Sequence, residues 1–270
     1  MNKEDLELDL FLQAIYRLSG FDFTKYMVSS IKRRVENRLR LEGLANLSQL
    51  TEKVIHEEVY LRKILDDFSI NVTEMFRDPS FFQSFRENVV PILRDLPEIR
   101  IWHAGCASGE EAYSMAVILH EEGLLNKTKI YATDMNERVL DKARKGIIPI
   151  SKMQVYTKNY MMAGGMNSFS SYYNTDNQFA YFDESILNEI VFAQHNLVTD
   201  GSFNEFHIII CRNVLIYFSL ELQNSVIKLF EDSLCSGGFL GLGSKESLRL
   251  DIHPDFEEFS CSEKIYRKKN

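Results

Sequence analysis

At 270 residues the chain is about twice as long as a common domain, so two domains are expected. Its 45% hydrophobic and 12% aromatic content suffices for a buried core and excludes a disordered chain. Lys and Arg number 31 against 39 Asp and Glu, and the resulting net charge of −8 argues against a nucleic-acid partner.

The opening MNKEDLELDLF is acidic and lacks the basic and apolar regions of a signal peptide, so a cytoplasmic protein is expected. Leu8, Phe11, Leu12, Ile15 and Leu18 then recur at helical spacing, and Ser19-Gly20 reads as a stop. Tyr26 to Leu41 repeats the pattern through Val28, Ile31, Val35 and Leu39, and Leu47 to Val54 and Val59 to Phe68 read as two shorter helices. Residues 1–80 are thus expected to form an all-α N-terminal domain. Pro79, Pro91 and Pro97 punctuate the next stretch, which includes a Phe-rich helical segment, and 81–98 is read as a linker region.

From residue 99 to 270 short apolar runs alternate with helical patterns. Strands are expected at Ile99 to Ala104, Lys129 to Thr133, Ile190 to Gln194, Phe206 to Cys211 and Phe239 to Leu242. Helices are expected at Glu110 to Glu122, Glu137 to Lys145 and Leu220 to Leu234. This is the pattern of an α/β domain with a mainly parallel sheet, which binds ligands at the carboxyl ends of its strands. Ile147 to Asn188 breaks the alternation and is read as an insertion. The most apolar segment, Phe206 to Phe218, is too short and too interrupted by His207, Arg212 and Asn213 to cross a membrane. The four cysteines lack a CxxC and the six histidines lack an HxH or HxxxH, so neither a disulfide framework nor a metal site is expected.

IWHAGCASGEEAYSMA, Ile101 to Ala116, reads as strand, glycine turn and helix start. Gly105 and Gly109 admit a close ligand, but their G-x-x-x-G spacing falls short of the dinucleotide fingerprint. Glu110 and Glu111 at the helix start would repel a phosphate and favour a cationic ligand such as S-adenosylmethionine. They could equally complement the helix dipole. Asp134, ending the next strand, stands where an acid bonds a ribose hydroxyl pair, and it could also cap the helix beginning near Asn136. His195 to Leu197 and Cys211 to Phe218 again bring polar residues to strand ends, and Asn213 is hard to explain as core.

NVTEMFRD (71–78), RIWHAGCASGEEAYS, ATDMN, HNL and CRNVLIYF, in this order behind a helical domain, closely resemble the CheR family of chemotaxis receptor methyltransferases. The resemblance implies a Rossmann-like S-adenosylmethionine-dependent methyltransferase domain with a small inserted β-subdomain, at about 164–182. It also implies methyl transfer to glutamate side chains of methyl-accepting chemotaxis receptors or receptor-like signalling proteins, releasing S-adenosylhomocysteine. On the family's motifs, Asn71, Thr73 and Arg77 would meet the cofactor's methionine end and Glu111 and Asp134 its body, beside Gly105. Asn196, Leu197, Arg212 and Asn213 would complete the pocket, and Arg77 and Tyr217 would flank the methyl group as catalytic residues. The basic run KRRVENRLR, 32–40, is read as a docking surface for an acidic receptor helix, with Arg34 and Arg38 on one face; the plainer reading is a solvated helix face. His103, Ala112, Asn136 and the segment 156–165 depart from the family's usual pattern. A monomer without nucleic-acid or membrane-inserted partners is expected. A methyltransferase for another carboxylate, or a non-catalytic cofactor-binding module, would keep the same pocket.

Overall fold

The computed structural model describes residues 3–69 and 72–270, so Asn71 lies outside the described residues. The chain divides into two compact units, one holding the N-terminal helices with Tyr217–Val226 and the other the rest. Among the described residues no helix is long and apolar enough to cross a membrane.

The helical unit contains α1 (Lys3–Ser19), α2 (Val28–Glu42), α3 (Leu47–His56) and α4 (Glu58–Phe68). In α1 the acids Glu4 and Asp5 and the base Arg17 complement the two ends of the helix dipole, and Leu8, Phe11, Leu12 and Ile15 form its buried stripe. Asn46 caps α3 by accepting the Gln49 N–H at 3.0 Å. The core is largely aromatic. Phe68 meets Phe11 and Phe23 edge-on, at 6.4 and 5.0 Å between ring centroids, and Tyr26 meets Phe218 at 4.9 Å. Residues 217–226, expected within the methyltransferase domain, therefore pack as part of the helical unit.

The second unit opens with α5 (Pro79–Ser84), a π-helical turn at Phe85–Val89 and α6 (Val90–Leu93). The linker expected at 81–98 is corrected here, because Phe81, Phe82, Phe85, Val89, Val90 and Leu93 all enter the hydrophobic core. Leaving the rings in an open linker would forfeit roughly 1.5–3 kcal/mol each. Pro91, read as a break, follows directly on the π-helical turn at Phe85–Val89 in a helix that continues to Leu93, and the wider turn accommodates a residue that donates no N–H.

There follow β1 (Ile99–Ala104), α7 (Glu110–Glu121), β2 (Thr128–Asp134) and α8 (Glu137–Ala143). An inserted segment holds β3 (Ile147–Pro149), α9 (Ile150–Met162), β4 (Tyr173–Thr175), β5 (Phe179–Phe182) and α10 (Glu184–Leu187). The main sheet resumes with β6 (Ile190–Gln194), β7 (Phe206–Cys211), α11 (Leu220–Ser233), β8 (Leu234–Leu242), β9 (Phe256–Ser260) and β10 (Ile265–Lys268). The seven-stranded sheet runs β6-β2-β1-β7-β8-β10-β9. Its first five strands pair in parallel, and β10 pairs antiparallel with both β8 and β9. The small sheet, β3-β5-β4, is antiparallel and starts at Ile147, earlier than the expected 164. Because β1 pairs with β2 on one side and β7 on the other, the strand order reverses there. Such a switch point opens a crevice at the carboxyl ends of the two strands, and the site is built on it.

Candidate active site

The turn after β1 is shaped by its backbone. The N–H groups of Gly105 and Cys106 both donate to the Thr133 carbonyl, at 2.8 and 2.9 Å, tying the turn to the end of β2. Gly105 has φ +75°, and a Cβ there would lie 2.6 Å from Val214 Cγ2, so only glycine lets the loop after β7 come this close. Asp134 closes the turn, with Oδ2 accepting from Ala107 N–H at 3.0 Å and Oδ1 from Asn136 N–H at 2.9 Å. Burial pushes its carboxyl above the usual range. The cap of α8 is Asn136, whose side chain accepts from Arg138 N–H, and not Asp134. A carboxylate has about four lone-pair positions. With the Met135 N–H also on this carboxylate, Asp134 keeps about one acceptor position for a hydroxyl group.

The two glutamates that open α7 differ. Glu110 is buried, accepts from the Ser108 hydroxyl at 2.7 Å and lies 3.7 Å from Lys152 Nζ. Its carboxyl is pushed up by burial. Glu111 lies 2.8 Å from Arg212 Nη1 and 3.3 Å from His103 Nδ1. Burial would raise the Glu111 carboxyl, but Arg212 and His103 outweigh it and hold it below the usual range. The expected repulsion of a phosphate by two bare carboxylates is therefore corrected: one is compensated by a guanidinium, the other by a hydroxyl and an ammonium.

Arg212 is the hub. Its side chain is 1% exposed and pairs with Glu111 and, at 2.7 Å, with Asp78, while donating at 3.1 Å to the carbonyl of Arg77. It also lies over the Phe81 ring, 4.2 Å from the centroid. Phe76 and Asp78 both adopt positive φ, at 51° and 54°. The strained turn between them is held by the buried Phe76 ring, by the Phe76 N–H bond to the Ser114 hydroxyl and by Arg212. Arg77 is thereby fixed by its backbone while its guanidinium stays uncommitted. Its contact is the Val72 carbonyl at 3.4 Å, and among the described residues it has no acidic partner.

Thr73 is half-buried on the same segment. At the end of β6, His195 N–H donates to the Asp134 carbonyl at 3.1 Å, and the buried Asn196 folds its loop by accepting from Val198 N–H at 3.0 Å, with Leu197 half-buried beside it. The second unit thus brings Gly105, Glu111, Asp134, Asn196, Leu197, Arg212 and Asn213 to the carboxyl ends of β1, β2, β6 and β7, with Thr73 and Arg77 on the segment that Arg212 holds. Tyr217 belongs to the helical unit. There the Arg34 guanidinium lies 5.1 Å from its ring centroid and its carbonyl accepts from Met27 N–H at 2.8 Å.

The basic run on α2 needs a correction. Arg34 donates to the Asp67 and Phe68 carbonyls at 2.7 and 3.1 Å, and Arg38 makes a two-point pair with Asp67, both bonds 2.7 Å, plus one to Glu42 at 3.0 Å. Both serve the end of α4 and are not the open docking cations expected. Arg33 and Arg40 are exposed, and among the described residues neither forms an ion pair; they line a surface cleft of about 580 Å³ with Arg34, Glu36, Asn37 and Asp67.

Three residues of the site escaped the sequence reading. His103 and Asp78 complete the Arg212 network, and Glu246 holds the loop after β7. The available signal was the same for each: a polar side chain at or just beyond a strand end, or beside a motif arginine.

Residues 71–265 match the family described as "CheR methyltransferase, SAM binding domain", and residues 6–69 match "CheR methyltransferase, all-alpha domain". The chain is 45% identical to "Putative methyltransferase Cher3" of Pseudomonas putida, over 98% of this chain and 97% of that protein. It is 30% identical to "Chemotaxis protein methyltransferase 1" of Vibrio cholerae, over 92% and 90% of the two chains. It is 29% identical to "Chemotaxis protein methyltransferase" of Borreliella burgdorferi, over 90% and 88%. The cofactor of the matched domain is S-adenosylmethionine. The residues fit it: Asp134 keeps acceptor capacity for a ribose hydroxyl, and the Arg77 guanidinium, with no acidic partner among the described residues, has donors for a carboxylate.

Proposed function

The chain belongs to the CheR methyltransferase family and is an S-adenosylmethionine-dependent methyltransferase, and from that premise we propose that it esterifies glutamate carboxylates on the signalling helices of chemoreceptors in the cytoplasm, acting as a monomer. The observation that carries the reading is the pairing of an all-α domain with the cofactor domain in one chain that matches relatives named chemotaxis protein methyltransferase over about nine-tenths of both lengths.

The site's chemistry is consistent with this acceptor. A glutamate with a pKa near ~4.3 is already ionised at neutral pH, so the chain needs no general base. The cofactor supplies a methyl group on a sulfonium centre. Arg77, whose guanidinium has no acidic partner among the described residues, fixes a carboxylate by charge-assisted hydrogen bonds. The Tyr217 hydroxyl orients the attacking oxygen. Asp134, Asn196 and Leu197 hold the nucleoside, and Thr73 and Asn71 support the methionine end. Holding the two reacting atoms in a near-attack arrangement is worth up to roughly 7–11 kcal/mol. The cleft bearing Arg33 and Arg40 gives the acidic acceptor helix a cationic rim on an otherwise acidic protein.

The test is incubation with radiolabelled S-adenosylmethionine and membranes carrying chemoreceptors, followed by base treatment. Label released as methanol from receptor bands is the expected result. Label on another protein, or label that base does not release, would overturn the assignment of receptor glutamate.

A further inference from the structure

Beyond β8 the chain makes a turn, Gly243-Ser244-Lys245-Glu246, in which the Glu246 N–H returns to the Gly243 carbonyl at 2.9 Å. The Glu246 side chain then points inward and is 6% exposed. Its Oε2 accepts from Gly243 N–H at 2.6 Å and Asn213 N–H at 2.9 Å, and its Oε1 from Ile216 N–H at 3.3 Å. β7 and β8 pair in parallel with Cys211 opposite Leu242, so the two loops leave the sheet side by side. One carboxylate therefore bridges the ends of both strands.

The backbone here depends on that bridge. Asn213 has φ +62°, a left-handed conformation that asparagine tolerates better than most residues but that still needs outside support. A Cβ on Gly243 would lie 2.7 Å from Glu246 Oε2 and 2.8 Å from Asn213 N, so glycine leaves the room the carboxylate needs to reach that N–H. Every partner is a donor. Four N–H groups, those of Gly243, Asn213, Ile216 and Leu215, converge on it, and an ionised carboxylate, with about four lone-pair positions and no donor, can accept them all. A carboxylate buried with backbone partners and no cation is unfavourable to retain unless those bonds serve the fold around it.

We propose that Glu246 is a positioning residue of the cofactor pocket: its carboxylate holds the 213–216 turn so that Asn213 is presented at the carboxyl end of β7. The inference rests on the assignment of Asn213 to that pocket, and it is independent of which carboxylate accepts the methyl group.

Glu246→Gln keeps size and shape but turns one acceptor into a donor facing N–H groups. In the full chain, amide exchange in peptides covering 212–216 should quicken about tenfold or more, while peptides from α1–α4 keep their rates. The dissociation constant for S-adenosylhomocysteine, measured by calorimetry, should rise about fivefold or more. Glu246→Asp keeps the charge and shortens the reach, so it should fall between wild type and Glu246→Gln in both measurements. If the glutamine variant does not fold, Glu246→Asp decides alone, with faster local exchange and weaker product binding expected. Lys245→Ala, an exposed neighbour in the same turn, should change neither. Unchanged exchange at 212–216 would show that the carboxylate does not hold the turn. Faster exchange with unchanged product affinity would show that the turn does not serve the pocket. Either result overturns the proposal, and neither bears on receptor methylation.

Discussion

Arg212 and the arginines of α2 look alike in the sequence, as cations within motifs of a methyltransferase, and the structure treats them differently. Arg212 leaves the end of a buried parallel strand, and its guanidinium is enclosed by Glu111, Asp78, the Arg77 carbonyl and the Phe81 ring. On α2, Arg34 and Arg38 are drawn onto the end of α4, and Arg33 and Arg40 remain open. A guanidinium carries five donors on a long stem, and what it bonds is decided by acceptors that are distant in sequence. The comparison separates cations that build the protein from cations available to meet something else.

The largest effect that would break this contrast concerns Arg212. Arg212→Ala leaves Glu111 without its main counter-charge in a buried setting, and loss of one partner of such a pair costs about 3–5 kcal/mol. Urea unfolding at neutral pH should show it. The pH dependence gives a second check. The folded-state carboxyl of Glu111 lies below its unfolded value, so its stabilising contribution is complete above about pH 4.3 and is lost as pH falls through the folded value. Glu111→Gln should flatten the acid limb of the stability profile. An unchanged midpoint in Arg212→Ala would mean that the network is ornamental.

Next in size is Arg77. Its backbone is held by Arg212 and its guanidinium has no acidic partner among the described residues, so Arg77→Ala should lower methyl transfer about 10²-fold, the scale of removing one oriented donor from a reacting centre. It should weaken S-adenosylhomocysteine binding while leaving the unfolding midpoint near wild type. Tyr217→Phe should lower turnover by about tenfold, within what loss of one positioned hydroxyl costs, with little change in product affinity. Wild-type turnover in both variants at saturating donor would remove the pair from the mechanism.

The elements were legible where one physical signal dominated. The apolar runs that became β1 and β7 need no partner information, because a strand buried on both faces reads as continuous hydrophobicity. Residues 81–93 misled because three prolines outweighed the phenylalanines, although the helix carries Pro91 just beyond a π-helical turn without breaking. β9 and β10 passed unnoticed because their residues are half polar and gain strand character only by pairing at the sheet edge. In the site, strand-end residues such as Asp134 and Asn213 were legible from position. Their actual bonds were not, since each depends on backbone N–H groups that any sequence supplies.

A smaller effect tests the open cations. Arg33→Glu with Arg40→Glu reverses two exposed charges that line the α2 cleft and have no acidic partner among the described residues. The Michaelis constant for the receptor should rise about tenfold at low salt, with product affinity unchanged. The difference should shrink at 0.5 M salt, where exposed charges are screened within ~4 Å. A salt-independent defect would point to folding and not to docking.

The smallest expected effect sharpens the comparison most, because it concerns a residue first read as part of the docking surface. Arg38 grips Asp67 through two bonds and also reaches Glu42, which itself accepts from Lys63 and Tyr60. These groups are only partly covered, so solvent screens them, and the pairing is worth about 1 kcal/mol. Arg38→Ala should therefore lower the unfolding free energy by about that amount. Asp67→Asn should give a similar loss, and the double variant should lose little more than either alone, because both changes remove one interaction. The Michaelis constant for the receptor and its salt response should stay at wild-type values in Arg38→Ala. If stability is untouched and the receptor constant rises in a salt-dependent way, then Arg38 meets the partner and Asp67 merely occupies it in the free protein, and the division between building and docking arginines on α2 fails at this position.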